Sequence, residues 1–156
     1  MYTSTFIAAL ASASLASARI VGIAAPATIV PGQPFTLTLL TENYIQSVAD
    51  IAVAWGFSPP PGFPYSLGSL ASSAYLGPDK SNTLQNVTLQ VTAPAGLSGV
   101  QRDERAVLSA GVYSLYGASS GPTVLNANVT VNVGDHVSEE TVRSDGFVWG
   151  TAGECS

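Results

Sequence analysis

At 156 residues, 46% hydrophobic and 10% charged, the chain has the length of one domain and the apolar content of a core, the opposite of a disordered composition. Its five Lys and Arg against ten Asp and Glu give a net charge of −5, and so few cations exclude a nucleic-acid interface that must neutralise many phosphates. One Cys and one His exclude an intrachain disulfide, Cys-based zinc sites and paired-imidazole metal or copper sites, so no cofactor is expected.

Residues 1–18 carry no charged side chain, and Phe6 to Leu15 is a run of apolar and small residues. With Ala16-Ser17-Ala18 as the small-residue cleavage pattern, 1–18 reads as a signal peptide cut between Ala18 and Arg19. The run is too short and too rich in Ser to span a bilayer. A secreted protein without a membrane span is expected. Two acceptor sequons fit that compartment, Asn86-Val87-Thr88 and Asn128-Val129-Thr130, each with its Asn on the polar side of an alternating segment.

From residue 19 onward the pattern has period two. Strands are expected at 19–24, 34–43, 48–57, 65–76, 83–92, 106–117 and 123–133, the evenly apolar 106–116 as a central one. Breakers fall between them: Pro31-Gly32, Pro59-Pro60-Pro61-Gly62, Gly77-Pro78, Pro94-Ala95-Gly96 and Gly121-Pro122. The fold class is all-β: a single antiparallel β-sandwich over 19–134, immunoglobulin-like and without its disulfide, a closed barrel being the alternative. Beyond Gly134 the composition turns acidic. Residues 135–156 hold five carboxylates against Arg143 and read as a tail interrupted by Phe147-Val148-Trp149.

Catalytic chemistry finds little support. His136 stands beside Asp135 but lacks a nucleophile motif, so it reads as a solvated turn residue. Glu139-Glu140 are adjacent in a polar segment, whereas glycoside hydrolysis needs carboxyls facing each other across a substrate. Arg102-Asp103-Glu104-Arg105 reads as a solvated loop, and Cys155 as a passive terminal thiol. Trp55 has the strand phase of a core residue. Phe63 and Tyr65, beside the three-proline turn, and Phe147 and Trp149, in the tail, are the candidate partner-binding residues; the alternative for the tail pair, which lie two apart, is that 145–150 pairs with a sheet edge as an eighth strand.

Several segments in their order carry a resemblance: Ile29-Val30-Pro31-Gly32-Gln33-Pro34-Phe35 leading to Thr41-Glu42-Asn43-Tyr44; Tyr75-Leu76-Gly77-Pro78; Ser114-Leu115-Tyr116-Gly117-Ala118-Ser119 with Gly121-Pro122-Thr123; and Asn128-Val129-Thr130-Val131. Over roughly 19–135 the chain resembles the fungal necrosis-inducing secreted protein effector family. The resemblance implies an extracellular effector that suppresses plant pattern-triggered immunity. Its implied partner is a host immune co-receptor or receptor-like cytoplasmic kinase, and some members cause host cell death. Entry into host cells is left open. A monomeric, non-enzymatic protein is expected, the rival reading being a cell-wall polysaccharide-binding module built on the 55–65 aromatics.

Overall fold

The alternating segments fold into two sheets packed face to face, as seen in a computed structural model that describes residues 17–146 and 148–150. The strands are β1 (Ser17–Pro26), β2 (Thr28–Ile29), β3 (Pro34–Tyr44), β4 (Val48–Ser58), β5 (Ser69–Tyr75), β6 (Val87–Thr92), β7 (Arg105–Tyr116), β8 (Gly121–Val133), β9 (Thr141–Arg143) and β10 (Val148–Gly150). The first sheet runs β6-β3-β1-β9 and the second β10-β8-β7-β4-β5. Pairing is antiparallel except where β2 lies parallel to β8. Among the described residues no helix is long and apolar enough to cross a membrane.

Alternation decides which side of each strand is buried. Phe35, Leu37 and Leu39 of β3, and Val87, Leu89 and Val91 of β6, point into the space between the sheets. From the second sheet come Val53, Trp55 and Phe57 of β4, with Leu108, Ala110 and Val112 of β7. Phe35 and Phe57 meet edge-on across the layers, centroids 6.5 Å apart, a geometry favoured by the ring quadrupoles. Trp55 is a core residue, as its strand phase requires. The evenly apolar 106–110 is buried throughout and lies between β4 and β8, so the central-strand expectation holds.

Boundaries differ where side chains or glycines intervene. The strand expected from 65 begins at Ser69, because Tyr65 and Gly68 take positive φ of 57° and 78°. The strand expected from 83 begins at Val87. Just before it, the Asn86 side chain accepts the Thr41 N–H at 3.0 Å in place of a further ladder bond. The composition shift at Gly134 marks a change of charge, and the chain beyond it still contributes strand. Thr141–Arg143 pairs with Ala24–Pro26 of β1, while Ser144 Oγ accepts the Ile23 N–H at 3.0 Å. Gly22 permits this approach, since a Cβ there would lie 2.6 Å from Ser144 Oγ.

Candidate partner-binding face

The middle of the second sheet's outer side is built from small and uncharged residues. Ala52 and Ala54 of β4, Ser109, Gly111 and Tyr113 of β7, and Asn126 of β8 line two adjoining clefts of about 330 and 340 Å³. Among the described residues no charged side chain lines either cleft. Protein interfaces share this depletion of charge at their centre and enrichment in aromatic rings.

The loop after β4 supplies the rings. Ser58 is followed by Pro59-Pro60-Pro61-Gly62-Phe63-Pro64-Tyr65, and each proline fixes one φ in advance. Gly62 closes the turn, its N–H donating to Pro59 O at 2.8 Å, and the Ser66 N–H donates to Phe63 O at 3.3 Å. Two glycines then let the loop lie flat on the sheet. A Cβ on Gly56 would stand 2.5 Å from Leu67 O, and one on Gly68 2.3 Å from Phe57 O, distances that no side chain tolerates. Phe63 and Tyr65 are left 64% and 70% exposed on a stiff support. The first cleft lies between them and the β7–β8 surface.

Of the expected partner-binding residues, Phe63 and Tyr65 thus share one cleft. Phe147 falls outside the described residues. Trp149 belongs to β10, where its backbone pairs with Leu125 at the β8 edge. Sequence reading missed Leu67, Tyr113 and Asn126. Their signal was present, since the outward positions of the 106–117 and 123–133 alternations are nearly all small or uncharged.

Asn128 is exposed and lines the first cleft. Asn86 is exposed beside β6 on the other sheet. At the proposed cleavage point, Ala18 and Arg19 both lie in β1. Ala18 is buried, and its N–H donates to Asn82 Oδ1 at 2.7 Å. Arg19 pairs with Glu42 at 2.6 Å and lies 4.5 Å over the Tyr44 ring.

His136 Nδ1 lies 2.8 Å from Asp135 Oδ1, with both side chains more than four-fifths exposed. That contact holds the Asp135 carboxyl below its usual range. Glu139 and Glu140 are exposed. Arg102 and Arg105 bracket a tight turn whose backbones exchange hydrogen bonds of 2.9 and 3.0 Å, the solvated loop expected. Cys155 lies outside the described residues. Asp50 is buried near the start of β4, the end away from the proline loop. Ser114 Oγ donates to its carboxylate at 2.6 Å, and its own N–H donates to Ser81 Oγ at 2.6 Å. Burial pushes Asp50 upward despite these bonds, and burial beside Asp50 pushes the Tyr116 phenol up to about 12. Among the described residues no cluster of His, Cys, Asp and Glu has the makeup of a metal site.

Comparison with known proteins places this architecture. A necrosis-inducing secreted protein 1 from Colletotrichum higginsianum is 48% identical over 144 residues, covering 92% of this chain and 97% of that protein. Its namesake from Colletotrichum orbiculare is 49% identical over 146 residues, covering 92% and 88%. Both names agree with the extracellular localisation expected from the N-terminal segment. Among solved structures, a superoxide reductase (neelaredoxin) from Ignicoccus hospitalis aligns with a TM-score of 0.45 and 17% identity over 76% of this chain and 83% of that one, a likeness too distant to carry any argument. The family model that matches spans residues 16–132, and the chain belongs to the Nis1 family.

Proposed function

We propose that the protein is a secreted, non-enzymatic effector that binds a host protein through the outer face of its second sheet, with Phe63 and Tyr65 as anchors. The partner class is a plant immune receptor-associated kinase, and the outcome is suppression of pattern-triggered immunity and host cell death. The relatives' names, necrosis-inducing secreted proteins, support the effector part. The observation that carries the binding part is the pair of rings, 64% and 70% exposed on a proline-stiffened loop over a charge-free face. Rigid aromatic side chains give large contact area at small entropic cost, which is why they dominate binding hot spots. The immunoglobulin-like sandwich supplies rigidity rather than chemistry.

The test is affinity for the kinase domain of a plant immune co-receptor, measured by biolayer interferometry. Phe63→Ala with Tyr65→Ala should cost about 2 kcal/mol or more, roughly thirtyfold in Kd, with Tm unchanged because both rings lie outside the core. Unaltered affinity in a folded double variant would remove the assignment of this face.

A second reading has its own observation. The rings stand across the cleft from the amide side chains of Asn126 and Asn128, and aromatic faces beside amides suit a saccharide. Protein produced without glycans should then bind insoluble cell-wall polysaccharide in a pull-down, which the protein-binding reading does not require.

A further inference from the structure

The cleft under Phe63 and Tyr65 contains a glycosylation acceptor in its own wall. Asn128 is the first residue of Asn128-Val129-Thr130 and lines the cleft together with Ser109, Asn126 and the proline loop. In the β7–β8 ladder Asn128 stands directly opposite Ser109, so both side chains rise from the same outer face. A sugar attached here begins inside the cleft rather than in open solvent.

We infer that the glycan carried by Asn128 folds back against Phe63 and Tyr65 and closes this cleft. Attachment joins Asn128 Nδ2 to the anomeric carbon of the first N-acetylglucosamine of a lipid-linked oligosaccharide. The amide gives up a proton and the lipid diphosphate leaves. The inner sugars then meet three kinds of group on the wall. The exposed rings of Phe63 and Tyr65 offer apolar faces to the C–H side of a pyranose. Pro61 and Pro64 hold those rings in place without further loss of entropy. The Asn126 amide and the Ser109 hydroxyl can donate to and accept from sugar hydroxyls and the acetamido group. The volume, about 330 Å³, lies at the lower end of the roughly 300–1,000 Å³ of small-molecule sites, enough for a small saccharide. Tethering makes weak contacts sufficient, since a short linker holds its ligand at an effective concentration in the millimolar range. Asn86 provides the internal comparison. It lies beside β6, and its Oδ1 accepts from Thr41, with no exposed ring in that contact.

Docking of the glycan stands on this geometry. Its consequence, that the glycosylated form hides the partner face, rests on the binding reading above.

The experiment uses full-length protein secreted from a yeast. Mass spectrometry of glycopeptides reads occupancy at both sequons, and hydroxyl-radical footprinting reads oxidation of Phe63 and Tyr65. Asn128→Gln should raise that oxidation by about threefold or more, as expected for a tethered group that is docked most of the time. Asn86→Gln should change neither ring. If Asn128→Gln is not secreted, enzymatic removal of the glycan from the folded protein gives the same comparison. An unoccupied Asn128, or an occupied one whose removal leaves both rings equally reactive, overturns the inference. Shielding by the glycan without any affinity loss in the Phe63→Ala, Tyr65→Ala variant refutes only the partner reading. An affinity loss without shielding refutes only the docking.

Discussion

Asp50 shows how a single residue sets a cost inside this sandwich. Its carboxyl is 2% exposed, and desolvation raises it above its ordinary value of 3.8 even though Ser114, Ser81 and the Asn82 backbone donate to it. Because the folded-state value is raised, the folded protein holds the proton more tightly than the unfolded chain does. This group's penalty is therefore fully present above its folded value, and it disappears as pH falls through that value toward 3.8. Asp50→Asn keeps an oxygen that accepts the Ser114 hydroxyl and removes the ionisation. Its Tm relative to the parent should rise between pH 4 and pH 7. A Tm difference independent of pH would show that Asp50 is ionised without penalty. Asp50 was invisible as a special residue in the sequence, because a bulge between Asp50 and Ala52 in the β4–β7 pairing breaks the alternation that would have placed it. Phe63 and Tyr65 were legible as candidates beside a three-proline turn, but their exposure was not, since the same pattern fits rings that close the end of the sandwich.

At the scale of elements, long alternating strands could be read from residues and most short ones could not. β3 and β8 alternate over three or more repeats each, and their faces follow directly from the pattern, while the even apolarity of β7 marks it as central. β2 and β9 have only two or three residues each and no periodicity to read, whereas β10 was legible as an edge strand over 145–150, because Phe147 and Trp149 lie two apart. All three exist because backbone groups along β1 and β8 need partners. The loop between β4 and β5 was hidden for another reason. Its fold over the sheet depends on Gly56 and Gly68 being far apart in sequence and close in space, and no local pattern announces that approach. The short strands make a prediction of their own. β10 covers β8 at Val124–Asn126, so ending the chain after Ser144 bares that stretch of edge. Such a truncation should lower Tm by roughly 2–4 °C per kcal/mol of lost pairing and raise light scattering on mild heating, as exposed edges promote association. A truncated chain with unchanged Tm and scattering would mean that β10 is dispensable to the sheet.

Across the whole molecule, the charged groups stand away from the two clefts. The first sheet and the turns carry the ion pair Arg19–Glu42 and the exposed acids around Asp135 and Glu139, and Arg105 stands exposed at the start of β7, while among the described residues the two clefts of the second sheet are free of charged side chains. Two layers held by apolar burial make a rigid platform, and rigidity suits a protein that works by presenting a surface. The composition already excluded nucleic acid and paired-His metal chemistry. The relatives are named for a biological effect, necrosis, and the cleft is the contact proposed for that effect. The most direct test is hydrogen–deuterium exchange of the protein alone and bound to a plant immune co-receptor kinase domain. The account predicts slowed exchange in 61–68 and along the parts of β7 and β8 beneath that loop, with the β3–β6 edge unchanged. Slowed exchange confined to the first sheet, with the 61–68 loop exchanging as in the free protein, would contradict it.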